Sequence, residues 1–155
     1  MNAASQEDVT ALPVPLSGAA AMIVRGVGRT LGHMGFSVLS EVRLATGRRV
    51  DVMGINRQNR IVVVEVKSGP ADFLSDRKWR EYLEFCDFFY FAVAADFPQV
   101  LLPAEPGLIV ADRFGGAIIR PAPEIPIPAS RRRSLTLRFA RKAADRLRRV
   151  EDPEA

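Results

Sequence analysis

Three residues combine the side-chain types and the spacing that chemistry needs: Asp51, Glu65 and Lys67. Glu65 and Lys67 are one residue apart in the run Ile61 to Lys67, whose other members are all apolar. With Arg60 before it, the run reads as a strand, Arg60 to Lys67. Strand side chains alternate faces, so both charges project from the side that carries Ile61 and Val63. Charges on a buried strand are costly unless they are paired or bound to metal. Asn56-Arg57-Gln58-Asn59 reads as the turn of a hairpin with the preceding strand, Arg49 to Ile55. A turn centred on Gln58 puts Asp51 directly across from Glu65, with Cβ atoms about 4.5–5.5 Å apart. A turn centred between Arg57 and Gln58 would put them on opposite faces. Two opposed carboxylates repel, and a divalent cation between them removes the repulsion. Oxygen ligands suit Mg²⁺. Lys67 beside such a cation would orient an attacking water and stabilise charge building on a phosphate. The chemistry is phosphodiester hydrolysis. The competing reading is a hairpin salt bridge in which Lys67 merely neutralises Glu65.

The elements that must position these residues follow from the hydrophobic pattern. Ser17 can cap a helix running to about Met34, with Ala20, Ile23, Val24, Val27 and Leu31 at helical spacing and Gly35 after its last turn. Phe36 to Leu44 is a first strand, followed by the hairpin. Ser68-Gly69-Pro70 ends the third strand. A second helix is then expected, capped at Asp72 or Ser75, with Trp79, Tyr82, Leu83 and Cys86 on its apolar face. Phe88 to Ala95 is an apolar run expected to be a central strand buried on both faces. Short strands at Leu108 to Ala111 and Ala117 to Ile119 follow. A final helix opens at Ser134, with a stripe of Leu135, Phe139, Ala143, Leu147 and Val150. Tight turns join the first three strands as an antiparallel meander, and the crossover helix returns the chain beside the third, parallel to it. The fold class is α/β with a mixed central sheet.

The motifs Arg49-Val50-Asp51 and Val64-Glu65-Val66-Lys67-Ser68-Gly69 resemble the Asp…Glu-x-Lys signature of the PD-(D/E)xK nuclease superfamily. The order αβββαβ is similar to that superfamily's restriction-endonuclease-like core. More narrowly, the words VVVEVKSG, DFLSDRKW, Tyr82 and CDFFYFAV resemble the MmcB-type bacterial DNA repair proteins. The resemblance covers residues 17–120 and implies a DNA repair endonuclease dependent on Mg²⁺ or Mn²⁺. It implies that Asp51, Glu65 and the Val66 carbonyl hold metal and that Lys67 is the catalytic lysine. Two departures stand out. Val50 replaces the proline of the superfamily's name. The first helix carries no acid where many members have a glutamate, which leaves Glu41 as the nearest substitute. A degenerate nucleic-acid-binding or repair-complex module on the same fold is the alternative.

Composition bounds the rest. At 155 residues with one cysteine, the chain is expected to form one domain without a disulfide scaffold or a cysteine-based zinc site. Its longest apolar run is far shorter than the ~20 residues of a membrane span, so a cytoplasmic location is expected. Residues 1–16 read as a mobile arm, 17–120 as the nuclease-like domain, 121–130 as a proline-rich linker and 131–150 as a basic amphipathic helix. That last segment holds nine of the 22 basic residues against one acid, which points to a polyanion such as DNA. Arg131, Arg132, Arg133, Arg138, Arg141 and Lys142 on it, with Lys78, Arg48 and Arg49 near the chemistry, are the candidate phosphate contacts. The stripe is expected to dock on the sheet or on another copy of the chain, and repair proteins are candidate partners. Asp76 and Asp72 could orient Lys67; Asp87 is expected to hold a backbone hydrogen bond; Cys86 and Trp79 read as core.

Overall fold

A computed structural model describes residues 18–76 and 78–154. Ser17 and the proposed arm 1–16 lie outside the described residues. The elements in chain order are α1 (Gly18–His33), β1 (Phe36–Arg43), β2 (Arg49–Asn56), β3 (Ile61–Lys67), α2 (Pro70–Ser75), a 3₁₀ segment Trp79–Phe85, β4 (Phe88–Val93), β5 (Gly107–Ala111), β6 (Gly116–Arg120) and α3 (Ala129–Glu151), with a short 3₁₀ turn at Gln99–Leu101. The six strands form one sheet in sequence order. β1, β2 and β3 are the expected antiparallel meander, β3–β4 and β4–β5 are parallel, and β5–β6 is antiparallel.

Every residue of β3 is buried, because the sheet is covered on both sides. α1 lays Ala20, Ile23, Val27 and Leu31 on one face, against Val52, Val62, Val64, Val66 and Tyr90. The 3₁₀ segment and the first half of α3 cover the other, packing Trp79, Tyr82, Cys86 and Leu135 on Met53, Ile61, Val63, Phe89 and Phe91. Trp79 stacks on Phe89 with ring centroids 5.8 Å apart, so it is core. Burial pushes the Cys86 thiol well up, aided by the Asp87 charge, and Cys86 is core likewise. The even positions of β3 thus face α1, and the odd positions, Glu65 and Lys67 among them, face the other layer.

Three elements differ from expectation. The second helix is not continuous: α2 ends at Ser75 and a 3₁₀ segment starts at Trp79. Asp76 leaves the helix and turns a carboxylate oxygen to the Lys78 N–H (2.9 Å), the local competition for backbone partners that breaks helices at Asp. α3 begins at Ala129, not at Ser134 or 131, because Pro128 precedes it and proline is tolerated at a helix start. The proline-rich stretch before it is pinned to the core: Ile127 is buried, and the Ile125 N–H donates to the Asp87 carbonyl at 2.9 Å. The expected stripe docks only in its first half. Leu135 is buried and Phe139 packs against the core, whereas Leu147 and Val150 are exposed. Among the described residues, no helix is long and apolar enough to cross a membrane.

Candidate active site

The β2–β3 register pairs Val52 with Val64, Met53 with Val63 and Ile55 with Ile61, the register of a turn centred on Gln58. Asn59 adopts the left-handed conformation that such a turn needs (φ 59°), and the Asn56 carboxamide oxygen accepts the Gln58 and Arg60 N–H groups. Asp51 and Glu65 are the next opposed positions. There the regular ladder stops and the carboxylates take over: the Asp51 N–H donates to Glu65 Oε1 (3.1 Å), and the Val66 N–H donates to Asp51 Oδ2 (2.8 Å). Each acid is held by the backbone of the opposite strand. Asp51 Oδ1 and Glu65 Oε2 make no hydrogen bond among the described residues. Among the described residues no fully buried side-chain oxygen is left unsatisfied.

The electrostatics of the pair are unfavourable. Burial, then the Asp51 charge, pushes the Glu65 carboxyl well above its ordinary range, against the pull of the Asp51 N–H and Lys67. Burial also raises Asp51, opposed by the Val66 N–H, Lys67 and Arg49. Lys67 is buried on the same face and bonds Asp76 Oδ2 at 2.6 Å, with Asp72 Oδ1 at 4.0 Å. Burial alone would raise the Asp76 carboxyl, but the bonds from Lys67 and the Lys78 N–H and the charges of Lys67 and Arg48 hold it below the usual range. Asp76 is therefore the residue that aims Lys67. Asp72 caps no helix; it accepts the Ser68 N–H at 3.1 Å and closes the turn after β3. Tyr82 roofs the site, its hydroxyl 3.5 Å from the Arg49 carbonyl and its pKa pushed up to about 12 by burial and by the Glu65 charge.

The donor chemistry of Asp51 and Glu65 fits a hard divalent cation: two opposed carboxylates, each with one oxygen that makes no hydrogen bond among the described residues, in surroundings that penalise their negative charge. Glu41 does not join them. It lies in the left-handed region (φ 53°), which kinks β1, and its carboxylate faces Arg49 at 3.5 Å. Among the described residues no cluster of three or more acids, histidines or cysteines forms.

The candidate phosphate contacts divide sharply. Arg132 is not available to DNA. Its guanidinium forms a bidentate pair with the fully buried Asp87, at 2.5 and 2.6 Å. Asp87 also accepts the Ile61 N–H (2.7 Å) and the Ile127 N–H (3.3 Å), so one carboxylate joins β3, the proline-rich stretch and α3. Arg131 lies over the Phe85 ring and donates to the Glu84 carbonyl at 3.1 Å. Arg48 pairs with Glu81 at 2.6 Å. Lys78, Arg133, Arg138 and Arg141 are exposed and Lys142 is half-buried. The sequence reading missed the Asp87–Arg132 pair, although a lone acid before a buried strand was a signal that it needed a partner. It also missed Arg146, which donates to the Ser40 and Glu41 carbonyls of β1, and Arg43, which lines a groove beside α3.

Fold and site together define a mixed α/β protein with a half-buried Asp51 beside buried Glu65 and Lys67 where an antiparallel hairpin opens. A family model described as "DNA repair protein MmcB-like" matches residues 7–154, and the chain belongs to this MmcB-like family of DNA repair proteins. It is similar to a solved structure of a protein of unknown function from Silicibacter pomeroyi, with 44% identity, a TM-score of 0.87, and coverage of 92% of this chain and 97% of that one. No curated protein matches the chain.

Proposed function

We propose that this chain is a metal-dependent DNA endonuclease of DNA repair, built on a PD-(D/E)xK core. The observation that carries the reading is the convergence of Asp51, Glu65 and Lys67 on one sheet face, with the acids in mutual contact through the opposing backbones. Asp51 and Glu65 would hold Mg²⁺ or Mn²⁺ through the oxygens that the backbone does not engage, with the Val66 carbonyl as a third donor. Such a cation, when bound, lowers the pKa of water and polarises a phosphoryl oxygen. Lys67, aimed by Asp76, places its ammonium beside the reacting phosphate and stabilises the charge that develops there. Tyr82 and the 3₁₀ segment keep bulk water from the inner side. DNA, and other repair proteins, are the partners in keeping with the family.

The test is a cleavage assay on single-stranded, duplex, flap and nicked DNA with Mg²⁺ or Mn²⁺. Cleavage by wild type that is lost in Lys67→Ala supports the reading; identical behaviour of the two proteins on every substrate ends it. One observation favours the second reading, a non-cleaving module: only two carboxylates converge, because Arg49 holds Glu41 away. That reading expects DNA binding without cleavage.

A further inference from the structure

The structure sorts the basic residues of α3 into anchors and free charges. Arg131 and Arg132 fix the start of the helix to the 3₁₀ segment and to Asp87, and Arg146 fixes its later part to the β1 carbonyls. α3 is thereby pinned to the body of the protein on both sides of its middle. Between the anchors, Arg138, Arg141 and Lys142 make no ion pair among the described residues. With Val42 and Arg43 of β1, and Ser134, Leu137 and Asp145, they line a groove of about 420 Å³. Four cations against the single Asp145 leave this groove strongly positive. Its floor residue Val42 belongs to the core on the sheet face that carries Glu65 and Lys67.

One wall of the groove, Arg43, lies close in the sheet to the site. Arg43 lies across from Arg49 in the β1–β2 register, and Asp51 is two residues further along β2. Strand spacing and rise put the Arg43 and Asp51 backbones about 8–9 Å apart. Residues 138 to 142 span about 6 Å of helix axis, room for about two phosphates of one strand at 3.4 Å of duplex axis each.

We propose that this groove is a phosphate-backbone track for the DNA flank that enters the Asp51–Glu65–Lys67 site, with Arg43, Arg138, Arg141 and Lys142 as its contacts. The proposal rests on the nucleic-acid reading of the site but not on cleavage. The groove offers four cations and no aromatic group, a lining suited to phosphate contacts that position a strand.

The test is binding of fluorescein-labelled single-stranded and duplex DNA to the full chain in EDTA, titrated across KCl concentrations. The combined variant Arg43→Ala/Arg138→Ala/Arg141→Ala/Lys142→Ala is expected to bind tenfold or more weakly. The slope of log affinity against log salt should shrink by about 0.7–0.9 for every phosphate that the variant no longer neutralises. A control that removes charge elsewhere, Arg113→Ala/Arg149→Ala, is expected to change affinity less than threefold. Arg141→Glu alone provides a milder variant, and circular dichroism checks the fold of each. Equal weakening in groove and control variants, or an unchanged salt slope, overturns the track. Tight binding of an acidic peptide in place of DNA at the same residues does so too. DNA binding that depends on the groove, in a protein that never cleaves, upholds the track and removes the nuclease reading. Cleavage with groove-independent binding does the reverse.

Discussion

Asp87 and Glu65 are both buried acids on or beside the central strands, and the molecule treats them in opposite ways. Asp87 receives two backbone N–H groups and a bidentate guanidinium. Burial would raise its carboxyl, but the bonds from Arg132 and the backbone hold it below its ordinary range. Glu65 receives one N–H, faces a second acid, and is pushed up by burial and by that acid. The cation nearest to Glu65, Lys67, is committed to Asp76. One site satisfies its charge internally and holds three segments together; the other leaves negative charge unbalanced, which a cation from solvent can relieve. A buried acid with its arginine is architecture, and a pair of opposed acids in which neither has a bonded cation is the candidate site.

Breaking the first half of this comparison has the largest effect. Asp87→Ala strands the Arg132 guanidinium and two N–H groups, and is expected to cost about 3–5 kcal/mol in denaturant unfolding. A loss under 1 kcal/mol would remove the clamp argument. On the site half, Lys67→Ala is expected to cut metal-dependent cleavage by about 10²–10³-fold, with the far-ultraviolet circular dichroism unchanged. Glu65→Gln should separate the two sites in one experiment. Without metal, its melting temperature is expected to equal or exceed that of wild type, since it removes a repulsion. Addition of Mg²⁺ or Mn²⁺ should raise the midpoint of wild type and not that of the variant. A clear loss of stability in metal-free Glu65→Gln would favour the salt-bridge reading. The smallest effect is in pH. Because the folded-state value of Asp87 lies below its ordinary 3.8, the unfolded chain binds that proton more readily. Its contribution is therefore complete above pH 3.8 and is lost as pH falls through the folded-state value. Acid unfolding of Asp87→Asn should lack this part of the pH dependence.

How legible each region was depended on the range of the contacts involved. The Asp51–Glu65 opposition was readable as one of two registers because a hairpin is local: one turn, Asn56 to Asn59, sets every later pair, and the structure centres it on Gln58. The alternation of β3 then placed Lys67 with Glu65. The continuous second helix was not legible as two pieces, since its periodicity runs unbroken through Asp76. At the break the Asp76 carboxylate accepts the Lys78 N–H and also the ammonium of Lys67, nine residues back and on another element, a partner that periodicity does not show. Arg132 was misread as a phosphate contact for the same reason. On a helical wheel it is one arginine among many, and its partner lies 45 residues away. Glu41 looked available as a third acid until the kink at its own backbone and the neighbouring Arg49 turned it aside.

The sequence by itself determined the order of elements, the shared face of Glu65 and Lys67, a choice between two hairpin registers, and the basic character of the last helix, because these follow from short-range periodicity and turn chemistry; the structure selected the register that brings Asp51 to that face. Only the tertiary structure decided which charges are already engaged. It assigned Asp76 to Lys67, Arg132 to Asp87, Arg49 to Glu41 and Arg146 to the β1 carbonyls. It left Arg43, Arg138, Arg141 and Lys142 along one groove with no ion pair among the described residues. Ion pairing acts through space over a few ångströms and is indifferent to separation along the chain, so composition counts the charges while packing distributes them.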